Sequence, residues 1–257
     1  SGTVTVVVVQ DGSTTTISLT GTPVCMFHGT EVPCSMNGAW WSSSRGCYVN
    51  KSNPQPSASD PLWQGHTDGS IYDCHLPAGV VGPWMMFWAA SAPASTAQVV
   101  QVAARAASSL HLQAIGVGMA PTPTSLDASS IGIVGLPNWM WVKDRSDTTW
   151  GPKSTSASDN GLSVTVNAKA QKVTWTMGDG SAPIVCTSTG TPYQPSYGKT
   201  QSPTCGYSGY QKQGTYAVKA VTHWVIGYTS NVGISGSLTM DLTSTASVTI
   251  GELQTTG

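Results

Sequence analysis

The chain has 257 residues, which is enough for two domains that each bury a core of their own. Only 9% of its residues are charged and its formal net charge is -1. It therefore lacks the basic field that attracts nucleic acid or an anionic membrane surface, and we expect no nucleic-acid partner.

Two strands are predicted at the start of the chain. Residues 3–9, TVTVVVV, and residues 14–20, TTTISLT, flank Asp11 and Gly12, a pair that favours a tight hairpin turn. The valines of the first strand make both of its faces apolar. Both faces therefore require cover, either from the rest of the chain or from a neighbouring molecule.

The rest of the N-terminal region, residues 1–117, contains one predicted helix. Residues 23–75 are rich in Gly, Pro and Ser and are predicted to be loops. Residues 76–93 are predicted to be a buried strand, because their prolines and glycines interrupt the apolar run too often for a membrane-spanning helix. A helix is predicted at about 95–111, where Ser95 and Thr96 are possible caps and apolar residues recur at steps of three and four.

The C-terminal half is predicted to be all β. A segment rich in Pro, Ser and Gly, residues 118–137, is interpreted as a linker. Residues 138–257 form short alternating runs separated by turn residues, which is typical of an antiparallel β-sandwich. The predicted fold class is thus mainly β, with a disulfide-linked, β-rich N-terminal region and one α-helix before the sandwich.

The six cysteines predict three disulfides. None of them occurs in a C-x-x-C pair, so the usual zinc spacings are missing. An even number in a chain rich in Thr and Ser indicates bonds formed in an oxidising compartment. A chain that opens at Ser1 without a leader also looks like the mature form of a secreted protein. Several connectivities are possible, and we expect local pairing: Cys25–Cys34, Cys47–Cys74 and Cys186–Cys205.

The segment VTWTMGDGS, residues 173–181, could be a phosphate cradle, a metal loop or a sharp turn. A phosphate cradle requires consecutive backbone amides at the start of a helix. Here Ala182 and Pro183 lead into the strand-like IVC, and proline also removes one amide. We therefore interpret the glycines and the aspartate as a structural turn: Gly178, Asp179 and Gly180.

The same segment carries a family resemblance. WTMGDG at 175–180, followed by GTYAVKAV at 214–221, resembles the PKD domain, an immunoglobulin-like sandwich common on secreted and cell-surface proteins. The resemblance covers roughly residues 138–252. It implies a core anchor, a turn-fixing side chain and two inward strand residues, which here are Trp175, Asp179, Tyr216 and Val218.

The whole chain also resembles a group of secreted actinobacterial proteins of unknown function that are often labelled ATP/GTP-binding. The shared features include GLPNWMWV, SPTCG and the closing IGELQ. The label fits GTPYQPSYGKT, residues 190–200, whose GKT imitates the end of a Walker A loop. Tyr193 stands where that loop requires Gly, and no helix is predicted after it. We therefore expect no nucleotide and no other cofactor.

One short segment gathers residues that could perform chemistry. HTDGSIYDCH, residues 66–75, contains two histidines and two aspartates that could bind a metal or act as base and orienting group. Its spacing fits no established ligand pattern, so a turn beside a disulfide is the alternative interpretation. The candidates are His66, Asp68, Asp73 and His75.

Ten tryptophans against two phenylalanines is an unusual ratio. Those in strand-like runs are expected in the core: Trp84, Trp88, Trp139, Trp141, Trp175 and Trp224. The others lie in predicted loops, where they could stack on sugar rings or contact a partner, or could fill the small cores of disulfide-linked loops. These candidate ligand-binding residues are Trp40, Trp41, Trp63 and Trp150.

These features favour a non-enzymatic protein that is secreted or displayed at the cell surface. Its expected role is adhesion, assembly or extracellular structure, for example as a filament or appendage subunit, with a protein partner or further copies of itself. One alternative is a module that binds polysaccharide through the loop tryptophans. Another is a secreted enzyme that uses the cluster at residues 66–75.

Overall fold

The computed structural model describes residues 2–10 and 13–252. Within these residues the chain forms many β-strands and one α-helix, so the protein is mainly β, as predicted. The strands are β1 (Gly2–Gln10), β2 (Ser13–Phe27), β3 (Thr30–Val32), β4 (Ser35–Met36), β5 (Ala39–Ser42), β6 (Cys47–Lys51), β7 (Ser70–His75), β8 (Met85–Ala89), β9 (Gly116–Ala120), β10 (Ile131–Ile133), β11 (Asn138–Lys143), β12 (Lys153–Asp159), β13 (Leu162–Thr176), β14 (Ile184–Cys186), β15 (Gly206–Tyr207), β16 (Gly214–Ser230) and β17 (Ser235–Gly251). The helices are α1 (Thr96–Ser109) and two 3-10 helices, Pro61–Trp63 and Pro195–Tyr197.

The strands form three sheets in the described part of the chain. The main path of the largest sheet is β1-β2-β17-β16-β13-β12, and β3, β10 and β14 each pair with one of its strands. The second sheet has the order β4-β5-β6-β7-β8, and the third has the order β15-β11-β9. The predicted N-terminal hairpin is present, since β1 and β2 are antiparallel and Gln10 pairs with Ser13. Its predicted turn residues, Asp11 and Gly12, lie outside the described residues.

The chain divides into two compact units, each made of segments that are distant in sequence. Unit 1 consists of Ser1–Ser109, Ser154–Asn167 and Ile226–Leu238, and unit 2 of Leu110–Lys153, Ala168–Val225 and Thr239–Gly257. Strands β13, β16 and β17 therefore contribute residues to both units. The segment interpreted as a linker, 118–137, includes the end of β9 and all of β10.

Unit 1 contains the sheet β4–β8, and its strands β4 to β7 lie within residues 23–75, which were predicted to be loops. That prediction was wrong because the sheet buries apolar residues on both faces, so its strands show no alternating pattern. Trp41, Tyr48 and Ile71 are buried on one face. On the other face, a buried cluster includes the disulfide between β6 and β7: Cys47, Val49, Tyr72 and Cys74.

Helix α1 also belongs to unit 1, beside β1 and β2. Its start is a capping box: the Ser95 hydroxyl accepts a hydrogen bond from the Gln98 amide, and the Gln98 side chain accepts one from the Ser95 amide at 2.8 Å. The apolar stripe on which the helix was predicted is buried, including Val99, Val102, Ala103 and Ala106. Burial of this stripe stabilises α1 more than helix propensity alone could.

Unit 2 contains two sheet regions, in which β10 runs parallel to β17 and β11 runs antiparallel to β9 and β15. In β16 the buried residues alternate strictly, with Val218, Ala220, Thr222 and Trp224 pointing inward. The second region is the sheet β15-β11-β9. This arrangement fits the predicted β-sandwich.

All three disulfides have the predicted local pairing: Cys25–Cys34, Cys47–Cys74 and Cys186–Cys205. They are compatible with an oxidising, extracellular compartment. Within the described residues, no helix has both the length and the apolar character needed to cross a lipid bilayer.

Candidate functional site

Strand β8 and the residues just before it form an exposed aromatic surface in unit 1. Strand β8 lies at the end of its sheet and is hydrogen-bonded to a strand on one side only, β7. Because side chains alternate along a strand, Met86 and Trp88 share one face, and Trp84 precedes them at the same two-residue spacing. We call Trp84, Met86, Trp88 and the two histidines that contact them, His66 and His75, the aromatic edge.

Each tryptophan of the aromatic edge is paired with a histidine ring. His66 stacks on Trp88, with ring centroids 3.5 Å apart and an angle of 4° between the planes. His75 lies nearly parallel to Trp84, with centroids 6.2 Å apart. The Trp88 indole also donates a hydrogen bond to the backbone oxygen of Asp68 at 2.8 Å. These contacts hold two large flat rings in defined orientations at low entropic cost.

The strand predicted within residues 76–93 is present as β8, Met85–Ala89, but its predicted burial was wrong, as was the core position of Trp84. The Trp84 side chain is 63% exposed and Met85 is 44% exposed, while Val81 is fully exposed. The physical reason is that the first part of this apolar run, residues 76–84, lies outside any strand, and only Met85–Ala89 pair with a sheet. Nothing in the residue types distinguishes such a run from a buried strand.

The candidate residues of the cluster at 66–75 contact other partners in the structure. His66 and His75 stack on tryptophans, while the Asp73 carboxylate accepts hydrogen bonds from Ser52 at 2.6 Å and from Asn50 at 3.1 Å. Among the described residues, no three His, Cys, Asp or Glu side chains are grouped as metal ligands would be. The sequence correctly marked this segment as unusual, but its histidines are ring-stacking partners.

The four loop tryptophans occupy different environments. Trp41 is completely buried and Trp150 is 6% exposed, so neither offers a ring face to a sugar in this structure. Trp40 and Trp63 are half-buried, and their indoles donate to the backbone oxygens of Pro93 and Pro56. Trp40 and Trp63 thus keep part of their rings accessible, and among the described tryptophans Trp84 is the one that is mostly exposed.

The Gly-Asp-Gly segment in unit 2 lies in the connection between β13 and β14, which pair antiparallel. The Asp179 carboxylate accepts hydrogen bonds from the Ser181 amide at 3.0 Å and from the Tyr207 hydroxyl. Partial burial raises the pKa of Asp179, but these hydrogen bonds outweigh it, so the pKa lies below its ordinary value. The carboxylate is thus occupied in holding a turn.

The segment that imitates a Walker A loop is held by aromatic packing in unit 2. Tyr197 stacks on Trp139 with ring centroids 4.9 Å apart, and Tyr193 contacts the same indole edge-on. The Trp139 indole donates to the backbone oxygen of Thr200 at 2.8 Å. A 3-10 helix, Pro195–Tyr197, precedes Gly198, and the strand β15 follows. This order is not the strand-loop-helix arrangement of a phosphate-binding loop.

Comparison with known proteins identifies no relative: no family model, no curated protein and no solved structure matches the chain. The fold and the site define a mainly β, disulfide-linked protein with an exposed aromatic surface on an edge strand. The side chains of this surface offer ring faces and apolar area, which can stack on or pack against another molecule.

Proposed function

We propose that this protein is a secreted or cell-surface component of adhesion or assembly without enzymatic activity, and that copies of the chain associate through the aromatic edge. The observation that carries the proposal is that Trp84 of the aromatic edge is 63% exposed and lies with Val80, Val81 and Met85 in an exposed apolar run at the start of the edge strand β8. Contiguous exposed apolar surface on a soluble protein marks an interaction site.

The backbone of β8 supports a strand-to-strand contact. Within the described residues, no hydrogen bond joins the outer backbone groups of β8 to another element. Proteins normally protect such an edge with charged side chains, proline or a bulge. Residues 76–104 contain no Asp, Glu, Lys or Arg, so β8 itself carries no charged side chain, although the guanidinium of Arg45 lies over its Phe87 ring.

A second copy of the chain is the partner that fits this surface best. Two β8 strands can pair antiparallel about a two-fold axis, so that the same residues contact each other from both sides. The pairing would satisfy the outer backbone groups and bury Trp84 of each copy, and buried aromatic residues contribute most to contact energy. The resemblance of residues 138–252 to a PKD domain and the three disulfides support an extracellular setting for such an assembly.

The test is the molar mass of the purified full-length chain, measured by light scattering across a concentration series. We expect a dimer or larger oligomer, and we expect Trp84→Lys to shift it to the monomer by placing a charge in the contact. Ile131→Lys is the matched control, because Ile131 is also 63% exposed but lies on β10 in unit 2. A wild-type chain that stays monomeric up to about 100 µM, a concentration at which contacts of micromolar Kd are saturated, would contradict the proposal.

Polysaccharide binding is a second candidate, favoured by the exposed and oriented ring of Trp84. Flat indole faces bind sugar rings by stacking, and Trp84 and Trp88 lie on one side of the strand about 13 Å apart at the usual rise. Retention on an insoluble neutral polysaccharide, lost on Trp84→Ala but kept in Trp40→Ala, would support it. Equal retention of Trp84→Ala and wild type would exclude it.

A further inference from the structure

A second surface of unit 1 is a cleft of about 970 Å³ that the proposed function does not use. It is lined by the turn between β5 and β6, the end of β8 at Ala89, the loop before α1, one side of α1, and the β12–β13 and β16–β17 turns. Its volume is in the range of small-molecule binding sites. The polar residues on its walls are mostly neutral hydroxyl and amide groups, including Ser44, Ser91, Gln101 and Asn160.

Hydrogen bonds between the surrounding elements hold the walls of the cleft in place. The Ser43 hydroxyl donates to the backbone oxygen of Gly233 at 3.3 Å, which links the β5–β6 turn to the β16–β17 turn. The Asn231 side chain accepts from the Ser163 amide at 2.9 Å and donates to the Gly161 oxygen at 2.8 Å. A site whose walls are fixed before binding loses less entropy when a ligand arrives.

Two further contacts complete this frame. Arg105 of α1 forms an ion pair with Asp159 at the end of β12, with a nitrogen–oxygen distance of 3.1 Å. The Trp40 indole donates to the backbone oxygen of Pro93 at 3.1 Å and so fixes the loop before the helix. These contacts fix the elements around the cleft within unit 1, so the shape of the cleft is defined by the fold.

Arg45 gives the cleft its charge. Its guanidinium lies over the ring of Phe87, with the central carbon 3.4 Å from the ring centroid, so the planar group is held in one orientation. None of the described carboxylates forms an ion pair with it, whereas Arg105 is paired with Asp159. The chain has only three arginines and two of them line this cleft. An oriented and unpaired guanidinium is suited to bidentate binding of a carboxylate.

We propose that this cleft binds an acidic oligosaccharide, with Arg45 holding a uronic-acid carboxylate and the surrounding hydroxyl and amide groups binding the sugar hydroxyls. Hydroxyl groups both donate and accept hydrogen bonds, and serine, glutamine and asparagine side chains match them in both roles. The accessible apolar parts of the walls are small side chains such as Ala89, Ala92 and Ala94. They form shallow surfaces suited to sugar rings and lack the deep apolar pockets that peptide side chains occupy.

The test is calorimetric titration of the full-length protein with tetragalacturonic acid and with its methyl ester, which has the same shape without the charges. We expect the protein to bind the acid, and to bind the ester at least tenfold more weakly. Arg45→Gln should weaken binding of the acid at least tenfold, and Arg45→Lys should retain part of it. Arg145→Gln is the matched control. Arg145 is exposed and lies in unit 2, and its substitution changes the net charge by the same amount as Arg45→Gln.

Three results would overturn the proposal: no binding of the acid at millimolar concentration, equal binding of acid and ester, or equal weakening by Arg45→Gln and Arg145→Gln. Thermal unfolding of each variant distinguishes a lost contact from a lost fold. Trp84→Ala should leave this binding unchanged, because Trp84 does not line the cleft. Failure here is thus distinguishable from failure of the association through the aromatic edge.

Discussion

Tyr207 donates its hydroxyl proton to the carboxylate of Asp179, and thereby ties strand β15 to the turn that follows β13. The tyrosine ring also packs edge-on against Tyr210, whose hydroxyl donates to the backbone oxygen of Met177 at 3.0 Å. Two tyrosines thus fix the turn from the side of its aspartate and from the side of its backbone.

Asp179→Asn should lower the free energy of unfolding at pH 7 by about 1 kcal/mol, the usual size for a hydrogen bond that is partly exposed. The pKa of Asp179 is lowered in the folded protein. Its contribution is therefore present above the ordinary carboxyl pKa of about 4 and is lost as the pH falls through the lower folded value. In urea unfolding, the difference in the free energy of unfolding between wild type and variant should therefore shrink between about pH 5 and pH 2. A difference that stays constant over this range would contradict the role given to the carboxylate.

Gly178→Ala should destabilise the protein more than Gly180→Ala. Both glycines have positive φ values, 83° and 85°, which cost other residues roughly 1 to 2 kcal/mol. A Cβ at position 178 would also lie 2.4 Å from the backbone oxygen of Ala217, while one at 180 would meet nothing within 4 Å. Both variants carry the backbone strain of a positive φ, but only Gly178→Ala adds the clash with the Ala217 oxygen. The difference between their thermal unfolding temperatures therefore measures the effect of that clash. Equal losses of stability would show that β16 moves aside freely.

Two buried tyrosines should respond differently to loss of their hydroxyl groups. Burial raises the pKa of Tyr228 to about 12, and its hydroxyl makes no hydrogen bond to any described residue. Tyr228→Phe should therefore leave stability unchanged or raise it by up to about 1 kcal/mol. Tyr210→Phe removes the bond to Met177 and should cost about 1 kcal/mol. Chemical denaturation of both variants is the measurement, and a larger loss for Tyr228→Phe would contradict this assignment.

Removal of the disulfides should destabilise the protein in order of loop length. The sequence separations are 27 for Cys47–Cys74, 19 for Cys186–Cys205 and 9 for Cys25–Cys34. Loop-closure entropy gives roughly 3.6, 3.3 and 2.7 kcal/mol in that order. Paired Cys→Ala variants, compared by denaturant midpoint, test the order. The Cys47–Cys74 pair should exceed its entropic value, because both sulfurs are buried in the core cluster.

Local patterns predicted the parts of the fold that are governed by local physics. Ser95, predicted as a cap, lies at the start of α1, and the strand predicted around Trp224 is β16. Local disulfide pairing followed from short separations, because short loops bring two cysteines together with little loss of entropy.

The aromatic edge could not be predicted from the same patterns. Which strand lies at the end of a sheet depends on pairing between distant segments, and the residues of β8 would equally suit a central strand. The absence of charge from 76 to 104 was visible in the sequence, but it is compatible with either position. The stacking of His66 on Trp88 depends on the same pairing of β7 with β8.

The division of the chain has a consequence for the order in which the protein can fold during synthesis. Strand β17 supplies Ser235–Leu238 to unit 1 and residues from Thr239 onward to unit 2. Neither unit has all of its strands until β17 has left the ribosome. The two units therefore cannot complete their folding one after the other during synthesis. A nascent chain that stops before residue 235 leaves both units incomplete and exposes long unpaired strands to chaperones and proteases.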